Sequence, residues 1–201
     1  QVHCPAIARV GSVGDGGKWV CNPWAMPRGG VVYSLGSHND VSFEKDFQKT
    51  TDGAASIFTV DMFQPYSSSI KNNNNNNKCM HYNGSIYIKL KFCFQREYTV
   101  EDLMKLNGHD RIELLKMDIE GAELNVLPQF LESNSVCQIM VEIHSIGKVP
   151  KLLRSIANAG FYLLHYELNA FFTGVGLCEY SFIHEDCLDK YGATLLASYI
   201  R

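Results

Sequence analysis

The sequence predicts an α/β sandwich. Short apolar runs alternate with stretches of helical periodicity through most of the chain. Residues 31–61 hold a run, a turn, a helix and a second run, a unit of about 30 residues and so the size of a parallel crossover. Two further runs joined by a short loop close the pattern as an antiparallel pair.

Residues 1–30 carry Gly11, Gly14, Gly16, Gly17, Gly29 and Gly30, with Pro5, Pro23 and Pro27. That density of turn formers argues for loops and at most short elements. Trp19 and Trp24, the only tryptophans, lie here. The segment is therefore expected to pack as a lid or brace on a domain running over 31–201. Val31–Leu35 is the first strand, with β-branched residues and Tyr33. Gly36 to Asp40 is its turn. Ser42–Lys49 follows as a helix, with Phe43 and Phe47 four apart on one face. Ser56–Val60 is the next strand, ending at Asp61, and the crossover between the two is right-handed.

Residues 67–78 include Ser67 to Ser69 and the run Asn72 to Asn77, a low-complexity stretch read as a solvated loop. Gly84–Phe94 alternates loosely and reads as a strand. Thr99 opens a short helix, where Thr99-Val100-Glu101-Asp102 resembles a capping box with Asp in place of Glu. Leu103, Met104 and Leu106 are expected to fill its buried face. Ile112–Met117 is short, mostly apolar and reads as a buried strand. Leu124, Val126, Leu127, Phe130 and Leu131 then recur at helical spacing, and Pro128 is expected to stop or bend that helix after about two turns. Val136–Ile143 is a strand. Val149–Ala159 is a helix with Leu152, Leu153 and Ile156 as its stripe, ended by Gly160. Phe161–Tyr166 and Cys178–Ile183 are the closing strands.

Bulk properties narrow the function. A chain of 201 residues suits one domain with a sizeable core. Composition is 46% apolar and 19% charged, as in globular proteins. The net charge is −3 and no Lys/Arg block stands out, so no nucleic-acid partner is expected. No apolar run reaches the ~20 residues of a membrane span. Gln1 is not a natural start, so the lack of a visible signal peptide carries no weight.

There are seven cysteines and no C-x-x-C pair, which argues against structural zinc. Cys93, Cys137 and Cys178 lie in apolar runs and read as packed thiols. Cys4 and Cys21 flank the glycine-rich segment and are the expected disulfide in an oxidising compartment. Asn83-Gly84-Ser85 matches a glycosylation acceptor, relevant in a secretory setting. The secretory pathway is accordingly favoured over the cytoplasm.

Chemistry concentrates at Lys116-Met117-Asp118-Ile119-Glu120-Gly121-Ala122-Glu123. An apolar strand hands over to a helix through three acids and a glycine. Ligands in open α/β sheets bind outside the carboxyl ends of strands. Asp118 or Glu120 could simply cap the helix, worth ~1 kcal/mol, but three acids are more than one cap needs. Asp61 ends the second strand about 25 residues after Gly36, where an acid can accept from ribose hydroxyls; a solvated strand end is the competing reading. Asp15-Gly16-Gly17-Lys18 is a nest-like turn suited to an anion or to shaping a pocket. Glu142 and His144 end a strand on one side of the sheet by alternation, and His144 is a candidate general base against a structural alternative.

The Lys116–Glu123 stretch resembles the signature of the FkbM-like S-adenosylmethionine-dependent methyltransferases. Gly14 to Cys21 and Val32 to Gly36 are similar to an animal branch of that group. The resemblance implies a Rossmann-like methyltransferase sandwich: a mostly parallel seven-stranded sheet with an antiparallel final strand. It implies S-adenosyl-L-methionine as cofactor, with Gly36 and Ser37 at its methionine part and Asp15 closing over that end of the site. Asp61 would take the ribose. By their own chemistry, Asp118 with Glu120 could serve as base, as orienter or as ligands for a hard divalent metal, and His144 as a general base. Two oxygens alone make a poor magnesium site unless substrate oxygens complete it, so no metal is expected.

The expected reaction is O-methylation of a small-molecule or glycan hydroxyl. The alternative is a catalytically inactive methyltransferase-fold interaction domain, since fold does not guarantee function. A nicotinamide-dependent oxidoreductase is disfavoured, because the full Gly-x-Gly-x-x-Gly pattern is missing after the first strand.

Overall fold

The computed structural model describes residues 1–13, 15–37, 40–60, 86–88, 98–144, 146–169 and 177–196. In chain order the elements are β1 (Val2–His3), β2 (Ile7–Val10), β3 (Lys18–Cys21), β4 (Gly30–Leu35), α1 (Ser42–Thr50), β5 (Ala55–Val60) and β6 (Ile86–Ile88). Then come α2 (Val100–Asn107), β7 (Ile112–Met117), α3 (Glu123–Ser133), β8 (Val136–Ile143) and α4 (Val149–Asn158). β9 (Phe161–Leu168), β10 (Cys178–His184), α5 (Leu188–Tyr191) and β11 (Thr194–Leu195) complete the described chain.

Seven strands form one sheet in the order β6-β5-β4-β7-β8-β10-β9. Neighbours from β6 to β8 pair in parallel, and β10 runs antiparallel to both β8 and β9. This is the predicted mostly parallel seven-stranded sheet with an antiparallel final strand. The central strands β7 and β8 are buried at every position, which is why they read as near-continuous apolar runs. One core face packs Tyr33, Leu115, Met117 and Ile139 against Leu127, Phe130, Leu152 and Ile156 of α3 and α4. The other packs Val32, Ile57 and Leu114 against Phe43 and Phe47 of α1 and Val10 and Val20 of the N-terminal strands.

The segment before β4 packs against this sheet without adding a strand to it. β2 and β3 form an antiparallel hairpin, and β1 pairs with β11 near the far end of the chain. Gln138 on β8 exchanges two hydrogen bonds with the backbone of Cys21, each 2.9 Å. Arg9 grips Glu167 of β9 through two bonds of 3.1 Å, and Trp19 stacks on His165 at 4.5 Å. Cys4 and Cys21 form the expected disulfide.

Three expectations are corrected. Pro128 does not stop α3, which continues to Ser133. The lost backbone bond costs roughly 3 kcal/mol in an isolated helix, but Leu127 and Phe130 are fully buried on either side of it, so packing holds the turn. Leu106 is 61% exposed rather than buried; Val100 and Met104 carry the inner face of α2. Cys137 is not a packed thiol but is bridged to Cys187, joining β8 to the segment after β10. The capping box of α2 is present, with Thr99 and Asp102 each accepting from the other's amide. The low-complexity stretch, Asp61, the glycosylation acceptor, Cys93 and most of the predicted Gly84–Phe94 strand lie outside the described residues.

Candidate active site

The strand order reverses between β4 and β7, and a cleft of about 470 Å³ opens at the C-terminal ends of β4, β7 and β8. Asp15 and Gly16 enter from the β2–β3 turn, and Gly36 and Ser37 from the end of β4. Lys116, Asp118 and Glu120 come from β7 and its turn, Glu142 and His144 from the end of β8. Six predicted site residues therefore share one cleft: Asp15, Gly36, Ser37, Asp118, Glu120 and His144. Asp61 lies outside the described residues. A larger hollow of about 770 Å³ lies at the opposite end of the sheet, beside Gly160 and Phe161, and holds none of them.

Two turns cross at the floor. Gly36 has φ +78°, and a Cβ on it would stand 1.6 Å from the carbonyl oxygen of Asp118. The amide of Asp118 donates to Leu35 at 2.9 Å, and Lys116 Nζ donates to the Gly36 carbonyl at 3.0 Å. Glycine is needed here because two backbones touch.

After Asp118 the chain turns through Glu120 at φ +56° and Gly121 at φ +99°. A left-handed glutamate is uncommon and costs about 1–2 kcal/mol. α3 has Ala122 at its N-cap and no side-chain cap, so neither Asp118 nor Glu120 does that work. Glu123, fully buried, braces the turn before the helix instead. Its Oε1 accepts the amides of Ile119 at 2.9 Å and Gly121 at 3.2 Å.

The same oxygen lies 3.1 Å from His144 Nδ1. A carboxylate can only accept, so Nδ1 carries the hydrogen and Nε2 faces the cleft. Nε2 stands 3.7 Å from Asp118 Oδ1 and 3.5 Å from Glu120 Oε2. The hydrogen bond to Glu123 raises the imidazole pKa to about 9 against the opposing effect of burial, with Glu142 and Asp118 adding to the rise. Burial acts to raise Glu123, but His144 and the two amides outweigh it and hold the carboxyl below its ordinary range.

Glu142 is 3% exposed and takes a hydrogen bond from Asn169 at 3.1 Å. Burial, then the charges of Glu179 and Asp118, push its pKa up to about 8. Glu179 is its cross-strand partner and pairs with the buried Lys18. Lys116 is nearly fully buried, and burial, then Lys18, lowers its pKa.

An α/β sheet in this order, with acids and a histidine gathered at its switch point, is a Rossmann-like domain. Residues 1–184 match the family model described as a methyltransferase domain, and the chain belongs to that family. A comparison with curated proteins gives no match. Among solved structures, the fibrillarin pre-rRNA processing protein of Methanococcus jannaschii is similar at TM-score 0.51 and 8% identity, covering 80% of this chain and 69% of that one. MNMC2 from Aquifex aeolicus gives 0.49 and 10% identity over 83% and 57% of the two chains. Precorrin-6y C5,15-methyltransferase from Geobacter metallireducens gives 0.44 and 8% over 82% and 85%. The first likeness speaks to the fold alone, and the other two fall below the similarity from which a fold is argued.

Proposed function

We infer that this methyltransferase domain moves a methyl group from S-adenosylmethionine to a hydroxyl oxygen of a small molecule or glycan, in the manner of the FkbM-like group. The observation that supports this is the gathering of Gly36, Ser37, Asp118, Glu120, Glu142 and His144 in one cleft at the switch point. Its surplus of carboxylates suits a cofactor carrying a sulfonium and an ammonium. When bound, that cofactor supplies an activated methyl group: the acceptor oxygen takes it as the carbon–sulfur bond breaks, the electron pair stays on sulfur, and the hydroxyl proton is left for the protein.

The protein's share is positioning and proton removal. Gly36 and Ser37, beneath the Asp15 turn, hold the cofactor end. Asp118 and Glu120 stand on a turn braced by Glu123, at the place where the acceptor proton is taken up. His144, held by Glu123, keeps these acids in register. The two disulfides support folding in an oxidising compartment, and among the described residues no helix is long and apolar enough to cross a membrane.

Isothermal titration with S-adenosylhomocysteine tests the cofactor, and methyl transfer to a panel of hydroxyl compounds tests the reaction. Saturable binding with turnover is expected. A well-folded protein that does not bind at high micromolar ligand overturns the reading, and binding without turnover on any acceptor moves it to an interaction domain.

A further inference from the structure

The acceptor end of the cleft is built from ligand-type side chains, not from acids alone. The ligating atoms of Asp118, Glu142 and His144 all lie within 4.8 Å of one another. His144 Nε2 is 3.7 Å from Asp118 Oδ1 and 3.5 Å from Glu120 Oε2. Those gaps are long for hydrogen bonds. The gap to Asp118 falls between the roughly 3.0 Å of adjacent and roughly 4.2 Å of opposite ligands on an octahedral cation with bonds of roughly 2.1 Å, so a small side-chain movement brings both atoms onto one ion. The other ring nitrogen is tied to Glu123, and a carboxylate behind a histidine is the usual outer support of a metal-bound imidazole.

A second observation points the same way. Glu142 and Glu179 face each other across β8 and β10, at 3% and 8% exposure. Glu179 Oε2 is buried with no hydrogen-bond partner among the described residues. Yet its carboxylate lies within 4.8 Å of the ligating atoms of Glu142 and Asp15. Two buried lysines answer only part of the charge of Asp118, Glu142 and Glu179. Lys18 is bonded to Glu179, and Lys116 donates to the Gly36 carbonyl. Buried carboxylates in excess are costly unless a cation joins them.

We propose that Asp118, Glu142 and His144 hold one divalent cation of the Mn²⁺ class, with positions left open for the acceptor hydroxyl. One imidazole with two carboxylates suits manganese better than magnesium or calcium, which prefer oxygen throughout. The ligand set stands on geometry; the catalytic role rests on the methyltransferase reading above. A hydroxyl on the ion is more acidic. Its proton passes to Glu120, outside the inner three, as the oxygen bonds the methyl carbon and the carbon–sulfur pair goes to sulfur. The sequence-based expectation of no metal counted only Asp118 and Glu120; the structure adds Glu142 and His144.

The experiment strips the intact, disulfide-bonded protein with chelator and titrates it with MnCl₂, reading free Mn²⁺ by electron paramagnetic resonance. A parallel calorimetric titration uses S-adenosylhomocysteine without metal. One Mn²⁺ per chain is expected, with an imidazole-nitrogen coupling in the pulsed spectrum that disappears in His144→Gln. Glu142→Gln should bind Mn²⁺ at least roughly tenfold more weakly, and Glu123→Gln about 10–100-fold more weakly as an outer support. Thermal melting checks that each variant is folded, and the parent's nitrogen coupling decides the matter if one is not. No depletion of free Mn²⁺ up to millimolar, or binding without nitrogen coupling, overturns the metal site. If S-adenosylhomocysteine still binds, the methyltransferase reading survives that failure. Nitrogen-coupled Mn²⁺ binding without S-adenosylhomocysteine binding would keep the metal site and overturn the methyltransferase reading instead.

Discussion

Glu123 Oε1 lies 3.1 Å from His144 Nδ1, and the same atom accepts the amides of Ile119 and Gly121. The first residue of α3 is thereby tied both to the turn that carries Asp118 and Glu120 and to the end of β8. Each acid's position depends on one buried carboxylate that does not itself line the cleft.

Glu123→Gln should separate bracing from charge. The amide oxygen can still accept the two backbone N–H groups, so the melting midpoint should fall little. The Nδ1–H of His144 loses its carboxylate partner, and turnover should drop well beyond the change in KM. Glu123→Ala leaves both amides buried and unpaired, at ~1–3 kcal/mol, and urea unfolding should show it. Full turnover in the Gln variant would reduce Glu123 to a turn brace.

Gly36→Ala tests the crossing of the two turns. Its Cβ would overlap the Asp118 carbonyl oxygen at 1.6 Å, and φ +78° is itself unfavourable for alanine. Backbone must shift, at a cost of about 1–3 kcal/mol, and the shift moves Asp118. A lower midpoint with weakened S-adenosylhomocysteine binding is expected. Unchanged values for both would mean the crossing yields easily.

The two disulfides should matter unequally. Cys4–Cys21 closes 17 residues and Cys137–Cys187 closes 50. In the chain-entropy account these restrain the unfolded chain by ~3 and ~4 kcal/mol. Reduction should lower the midpoint, more through Cys137–Cys187. Peptide mapping without reductant should recover both cross-links, and free alkylation of all four cysteines would falsify the pairing.

Much of the fold was legible because β4, β7 and β8 carry β-branched or apolar residues in runs of strand length, and Thr99 and Gly160 mark helix ends chemically. Asp118 and Glu120 were legible because acids at a strand-to-helix turn stand out in sequence. Glu123 was visible as the third acid of the motif, but its role needed His144, which follows 21 residues later on another strand. Glu179 faces Glu142 only once the β8–β10 register is known. Cys137 looked like a packed thiol because its neighbours are apolar, and nothing local reveals Cys187 beside it. Leu106 failed because a short helix has a narrow inner stripe, already filled by Val100 and Met104.

His165 should make the N-terminal brace sensitive to acid. It stacks on Trp19, its Nδ1 is buried without a hydrogen-bond partner among the described residues, and burial lowers its pKa from 6.5 despite the nearby Glu167. A histidine lowered on folding favours the folded state fully above the unfolded pKa. That contribution is lost as pH falls from about 6.5 through the lowered folded value. His165→Phe keeps the stack and cannot titrate. Measured by urea unfolding from about pH 7.5 to about pH 5, the parent should lose stability relative to this variant. A constant difference between them would show that the ring does not titrate in this range.

Asp118→Asn and Glu120→Gln address the chemistry most directly. Both keep shape and most hydrogen-bonding capacity, so a bracing role would survive them. Neither side chain caps α3, so the melting midpoints should stay near the parent's. Loss of a general base costs ~10²–10⁴-fold in rate, and an amide is also a poor ligand for a cation. Asp118→Asn, which removes a ligand of the proposed cation, and Glu120→Gln, which removes the proton acceptor, should each cut turnover by up to that order. Glu120 is more exposed, at 55% of its side chain against 18% for Asp118. Its substitution should act on both KM and turnover, and less severely if a second carboxylate can take the proton. Glu120→Gly adds a control, because it removes the side chain and also relieves the φ +56° strain. It should melt no lower than Glu120→Gln while being no more active. Full activity in the Asn and Gln variants, with lowered midpoints, would mean that these acids hold the turn and take no part in the reaction.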